Sequence, residues 1–229
     1  MSHHFIRFTD VWHKYPDGTE ALKGINFNIT HGEKVALLGL NGSGKSTLLL
    51  HTNGLLLPTS GEVNIGDVPV SKKTAPLVRR TVGMVFQNPD HMLFMPTIYD
   101  DVAFGPRNMG LPEPEVDRRV KEALRAVNLS DVAEKSAFQL SGGQRRGAAI
   151  ASVLSMEPSI MVLDEPTANL DARARRKLID LLRGFSHTIL IATHDFPMAK
   201  ELCPRSILIA DGKVASDGPT SEIIANLKY

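Results

Sequence analysis

Gly39-Leu40-Asn41-Gly42-Ser43-Gly44-Lys45-Ser46-Thr47 decides the fold. The stretch fits G-x-x-x-x-G-K-[ST] in full. The apolar run at 34–38 (KVALL) before it reads as a buried strand, and residues 45–51 read as a helix. In that setting glycines let successive backbone N–H groups turn towards a phosphate chain, and the helix N-terminus adds partial positive charge. Lys45 is placed to reach β- and γ-phosphates, and the Ser46 hydroxyl to ligate Mg²⁺. A glycine-rich turn beside a solvated lysine is the bland alternative. The flanking strand and helix weigh against it.

Two further motifs carry chemistry. Ile160-Met161-Val162-Leu163-Asp164-Glu165 is an apolar run ending in two carboxylates. In an open α/β sheet, ligands bind at the C-terminal ends of the strands. Asp164 is placed there to hold Mg²⁺, and Glu165 to orient or deprotonate an attacking water. Solvated acids at a strand end are the alternative, and it weakens beside a phosphate loop. Leu140-Ser141-Gly142-Gly143-Gln144 opens a helix with a hydroxyl and two glycines, again an anion-binding N-terminus. An ordinary capping box, Ser141 with Gln144 three residues on, fits the same residues, and both readings can hold at once.

The segments around these motifs set the organisation. Residues up to about 29 alternate apolar and polar positions around a Pro16-Asp17-Gly18 turn, as antiparallel strands do. Strands are predicted again at 62–65, 81–86, 160–163, 188–192 and 206–210, with helices at 172–184 and 195–202. Strand and helix in alternation indicate a parallel sheet. Between them, Pro89, Pro96, Pro106 and Pro112 read as breaks. Val116, Val120, Leu124 and Val127 have the spacing of an amphipathic helix, and 143–156 reads as another. The expected fold class is α/β: a P-loop NTPase core of mostly parallel sheet with flanking helices, an N-terminal antiparallel β subdomain and a helical insert. We expect a single domain over 1–229, with its α/β core at 1–87 and 157–229 and the helical subdomain at 88–156.

Composition excludes several classes. Lys and Arg number 26 and Asp and Glu 25, a net charge of +1, so the basic excess of a nucleic-acid binder is absent. No apolar run approaches the length of a membrane span. The first residues, Met1-Ser2-His3-His4, lack the pattern of a secretory signal. With a single cysteine, Cys203, no internal disulfide is possible. These features predict a cytoplasmic chain that meets a membrane only through a partner.

With LSGGQ lying between the phosphate loop and the Asp164-Glu165 strand, the chain resembles the ATP-binding-cassette ATPases nearly end to end. The resemblance implies ATP and Mg²⁺ as cofactors, and ATP-binding roles for Gly39, Asn41, Gly42, Ser43, Gly44, Lys45, Ser46 and Thr47. It places Tyr15 as the aromatic that stacks on adenine, with Trp12 as a nearby rival. It makes Gln87 the glutamine of the Q-loop, which senses Mg²⁺ and the membrane partner, Asp171 the D-loop aspartate, and His194 the switch histidine on the γ-phosphate. Lys45, Gln87, Glu165 and His194 are the implied catalytic set, and Ser46, Gln87 and Asp164 the implied Mg²⁺ ligands. Two copies would pack head to tail, each ATP lying on one chain's loop and under the other's Ser141, Gly142, Gly143 and Gln144.

Gln87-Asn88-Pro89-Asp90-His91-Met92-Leu93-Phe94 and the block at 100–106 (DDVAFGP) narrow the resemblance. They look like the ATPase subunits of energy-coupling-factor importers, especially those for cobalt or nickel. The implied partners are a second ATPase copy, a transmembrane coupling subunit and a substrate-binding membrane subunit, with the chain peripheral on the cytoplasmic face of the membrane. Pro89 to Phe94 is expected to line a groove for a helix of the membrane subunit, through exposed Met, Leu and Phe. Vitamin importers, exporters, regulatory cassettes and soluble cassettes acting on DNA or ribosomes are the alternatives. The chain departs from the group at Met92, where a polar residue is common, and at Gly147, where a branched apolar residue is usual. Many relatives carry a longer C-terminal extension that aids dimerisation; this sequence stops at Tyr229, which leaves ATP-independent dimerisation an open question. His91 and Met92 do not make a metal site, because His3, His4, His13, His31, His51 and His187 are scattered without ligand spacing.

Overall fold

The computed structural model describes residues 5–227. The chain runs β1 (Ile6–Lys14), β2 (Glu20–Ile29), β3 (Lys34–Leu38), α1 (Lys45–Thr52), β4 (Ser60–Ile65), β5 (Val68–Pro69), α2 (Ala75–Thr81) and β6 (Val82–Val85). It continues through α3 (Ile98–Asn108), α4 (Glu113–Ala126), α5 (Gly142–Leu154), β7 (Ile160–Asp164) and α6 (Ala172–Gly184). It ends with β8 (Thr188–Ala192), α7 (Phe196–Leu202), β9 (Arg205–Ala210), β10 (Lys213–Pro219) and α8 (Thr220–Asn226). One unit takes the chain as far as Val82, then Ser159–Glu165 and the chain from Ser186 onward; the other takes Gly83–Pro158 and Pro166–Phe185.

In the first unit, β3, β7 and β8 are buried along almost their whole length. Strands apolar on both faces need cover on both, the condition of a parallel sheet between helices. Each fully buried Leu, Ile or Val there stabilises the fold by about 1.5–3 kcal/mol. β8 lies parallel between β3 and β7, with Ala192 opposite both Leu37 and Asp164. That register lines up the C-terminal ends of three strands. β9 adds in parallel to β3, and β10 returns antiparallel to β9.

A second sheet in the same unit is antiparallel, with β1 between β2 and β4, and β5 beside β4. Ile6, Phe8 and Val11 face inward. The alternation shifts phase at Asp10, where φ is 45° and the register slips. Phe8 and Phe27 stack with centroids 4.7 Å apart.

In the second unit, α3, α4 and α5 share a core that includes Ile98, Val102, Val116, Val120, Leu124, Leu140, Ala148 and Ala151. The expected break at Pro106 is corrected: α3 runs through it to Asn108. Proline removes the donor that would pair with the carbonyl four residues back. The buried Ser155 hydroxyl supplies a replacement, donating to Val102 O at 2.7 Å. The second unit also reaches beyond 88–156 to include 166–185. The reason is local packing: a Cβ at Gly143 would sit 3.6 Å from Ala174 Cβ and 3.8 Å from Leu170, so the start of α6 lies against the start of α5.

Candidate active site

The strand register in the first unit brings the 39–47 loop, Asp164-Glu165 and Thr193-His194 to one sheet edge. The loop is built for backbone, not side chains. A Cβ at Gly39 (φ 149°) would lie 2.2 Å from Ile209 O, and one at Gly44 (φ 108°) 2.6 Å from Ala21 O. Lys45 Nζ donates back to Gly39 O at 2.8 Å and Leu40 O at 2.9 Å. Those bonds use two of the three ammonium donors. Burial pushes the Lys45 pKa down, and the charges of Glu165 and Asp164 oppose that shift. Ser43 is buried and, among the described residues, its Oγ has no hydrogen-bond partner. An orphaned hydroxyl in a glycine-rich loop that opens a helix suits a phosphate oxygen. Asn41, Gly42 and Ser46 are exposed on the loop.

Glu165 follows β7 in the left-handed region, with φ 45°. Its N–H donates to Ala192 O at 2.8 Å, which turns its carboxylate towards the end of β8. Glu165 Oε2 lies 2.9 Å from His194 Nδ1 and accepts from His194 N and Thr193 Oγ1, both at 3.3 Å. A carboxylate accepts only, so the shared proton belongs to Nδ1 and Nε2 is left for another partner. The glutamate is 7% exposed, while the histidine side chain is 70% exposed. Asp164 is buried beside it.

Tyr15 is half-buried, and its hydroxyl shares a hydrogen bond with Thr47 Oγ1 at 3.0 Å. Trp12, its rival in the sequence, donates its indole N–H to Asp10 Oδ1 at 2.9 Å. Of the two aromatics, Tyr15 is the one tied to the phosphate loop.

The second unit gathers a different set. Ser141 Oγ accepts from Gln144 N at 3.3 Å, and Gln144 Oε1 accepts from Ser141 N at 3.0 Å, so the capping box is formed at α5. Asp171 caps α6, accepting from Ala174 N at 2.7 Å. Ser141, Gly142, Gly143, Gln144 and Asp171 all line one cavity of about 580 Å³. Gln87 is exposed at the head of a segment pinned within this unit. Arg146 donates to Phe86 O at 3.0 Å, Arg145 meets Asp90 at 3.3 Å, and buried Asp101 accepts from Phe94 N and Met95 N, both at 2.9 Å. The expected exposed trio at 92–94 is corrected. Leu93 is 8% exposed and joins the helical core, and Met92 Sδ accepts from Phe86 N. Phe94 alone is open, at 63%, and meets Phe104 edge-on with centroids 5.0 Å apart.

The family model for ABC transporters matches residues 22–168, which span the loop, LSGGQ and Asp164-Glu165. The chain belongs to the ABC transporter family. This ABC cassette is 59% identical over 226 residues, 99% of the chain, to a Geobacter sulfurreducens protein named provisionally as an ABC transporter ATP-binding protein, 91% of which is covered. It is 47% identical over 230 residues to the energy-coupling factor transporter ATP-binding protein EcfA of Methanocaldococcus jannaschii, covering 98% of this chain and 82% of that one. Among solved structures it is similar to cbiO1 of Clostridium perfringens, part of the ABC transporter complex cbiONQ. The TM-score is 0.87 and the identity 40%, over 99% of this chain and 92% of that one. It is also similar to the cassette MJ0796, solved as a dimer in a post-hydrolysis state bound to ADP and Pi, with TM-score 0.86, 31% identity and coverage of 94% and 98%.

The ABC cassette therefore has the ABC ATPase fold, and it binds and hydrolyses ATP. Among the described residues no helix is long and apolar enough to cross a membrane. Three features of this cassette escape motif reading. Arg146, on Phe86 O, and Asp101, on Phe94 N and Met95 N, hold the two ends of the segment around Gln87, contacts that no motif assigns to them. The histidines treated as scattered fall partly into pairs: His13 and His51 have ring centroids 4.7 Å apart, and His31 and His187 6.0 Å. His3 and His4 lie outside the described residues. Only proximity in the fold reveals these pairs.

Proposed function

We propose that this cassette energises a membrane importer of transition-metal ions, cobalt or nickel, by ATP-driven closure of a head-to-tail dimer. The observation that carries the importer reading is the likeness to cbiO1, part of the complex cbiONQ, along 99% of this chain. The segments at 87–94 and 100–106 support it. In this reading the cassette sits peripherally on the cytoplasmic face of the membrane, with a transmembrane coupling subunit and a substrate-binding membrane subunit as partners.

Each residue has a part. Backbone N–H groups of 39–47 and the Ser43 hydroxyl hold the phosphates, and Lys45 brings its charge to the β- and γ-oxygens. Tyr15 receives the adenine ring. Ser46 and Asp164 offer the hard oxygen ligands that suit Mg²⁺ alongside phosphate oxygens, and the resemblance adds Gln87. Mg²⁺, when bound, supplies neutralisation of charge on the phosphates. Glu165 orients and deprotonates the attacking water, and His194 stabilises charge on the transferring phosphoryl group. Ser141, Gly142 and Gly143 of a second copy cover the γ-phosphate, and Asp171 faces the same junction between copies. The dimeric state of the similar cassette MJ0796 supports this arrangement.

The test is a pull-down of the chain from detergent-solubilised native membranes, with the co-purifying proteins identified. A transmembrane coupling subunit with a metal-binding membrane subunit supports the proposal. A vitamin-binding subunit keeps the mechanism and changes the cargo. Soluble or ribosomal partners alone overturn the transport reading.

A further inference from the structure

His51 lies on α1 one turn after Thr47 and is 0% exposed. Its Nδ1 is 2.7 Å from Thr47 O. A carbonyl only accepts, so this proton sits on Nδ1 and leaves Nε2 as an acceptor. His51 Nε2 is 3.2 Å from His13 Nδ1, which is itself 3.1 Å from Leu57 O. The same rule puts a proton on His13 Nδ1, shared between Leu57 O and His51 Nε2. Both tautomers are thus fixed by their neighbours. Burial pushes the His51 pKa down to about 4, which keeps Nε2 an acceptor near neutrality.

The His13 ring stands nearly perpendicular to both His51 and Tyr15, each with centroids 4.7 Å apart. Tyr15 OH closes the circuit on Thr47 Oγ1 at 3.0 Å. Thr47, His51, His13 and Tyr15 therefore form a closed ring of contacts, and Thr47 belongs to the phosphate loop. An aromatic platform held this way has its ordering cost met before the ligand arrives, which raises affinity.

We propose that His13 and His51 are positioning residues that preset Tyr15 to receive the nucleotide base, coupling the base platform to the phosphate loop. The inference rests on the reading of Tyr15 as that platform. Its signature is a loss of affinity confined to the base-bearing ligand. A pair that merely fills the core would weaken base-bearing and base-free ligands alike, or neither.

The test uses the full chain and two probes, ATP and inorganic tripolyphosphate, with affinities measured by calorimetry. His13→Phe keeps the ring and deletes the Nδ1 donor; His51→Gln keeps polar atoms at the buried site. Loss of one ordinary hydrogen bond predicts ATP binding weakened about three- to tenfold in each variant. Tripolyphosphate binding stays within twofold of wild type, and ATP hydrolysis shows a raised KM at little-changed kcat. Parallel weakening of both ligands, or unchanged ATP affinity in a folded His13→Phe protein, overturns the proposal. Tyr15→Ala separates the two levels. Unchanged ATP affinity in that variant defeats the platform reading itself. Weakened ATP binding there, with no effect of either histidine variant, defeats only the role of the histidines.

Discussion

Glu165 Oε2 stands 2.9 Å from His194 Nδ1 and also accepts the His194 backbone N–H. The acid after β7 and the histidine after β8 therefore act as a unit, joined by their side chains and by the backbone. The strand register makes this possible, since Asp164 and Ala192 are direct neighbours across β7 and β8. His194→Ala removes one anchor of the glutamate and the Nε2 group that the proposed mechanism directs to the phosphoryl oxygens. A loss of about 10²-fold or more in kcat is expected, with a much smaller change in ATP affinity. Steady-state hydrolysis alongside equilibrium ATP binding checks it.

Gly39→Ala tests the loop geometry. The added methyl would meet Ile209 O at 2.2 Å, at a φ of 149° that side chains rarely adopt. Backbone cannot yield cheaply there, so the variant should lose about 2 kcal/mol or more of stability. ATP binding should fall with it. Urea unfolding is the measurement, and an unchanged midpoint would refute the close approach.

Ser155→Ala tests the proline in α3. The change leaves Val102 O buried with neither the donor removed by Pro106 nor the replacement hydroxyl. A buried carbonyl stripped of its partner costs about 1–3 kcal/mol. Thermal melting should show the loss, and a Pro106→Ala background should reduce it by restoring an N–H.

How far the sequence reveals this much depends on the element. The continuous apolar runs of β3, β7 and β8 announce themselves, and so does α4 through Val116, Val120 and Leu124. α3 is hidden because Pro106 reads as a break, and the compensating Ser155 is remote in sequence. β10 (KVASDGP) carries a glycine and a proline and little apolar character; its pairing with β9 at the sheet edge makes it a strand. The phosphate loop, the acid pair and LSGGQ are legible because contiguous residues must meet one ligand. The His13–His51 pair, Asp101 and Arg146 are not legible, because each works through a contact that only folding creates.

His51 gives the protein an acid-sensitive core. Burial lowers its pKa from 6.5 to about 4. The unfolded chain therefore binds the proton more readily between those values. Stability is fully present above pH 6.5 and is lost as pH falls towards 4, by about 3 kcal/mol. Melting temperatures across pH 4 to 7 should decline on acidification, and His51→Gln should flatten that decline.

The most direct test of the ATP-sandwich mechanism is to give Glu165→Gln ATP and Mg²⁺, then measure its size by gel filtration and its phosphate release together. The account predicts a stable dimer holding unhydrolysed ATP, with hydrolysis nearly abolished, while wild type dimerises only in passing. Turnover at the wild-type rate by this variant would contradict the role assigned to Glu165 and the mechanism built on it.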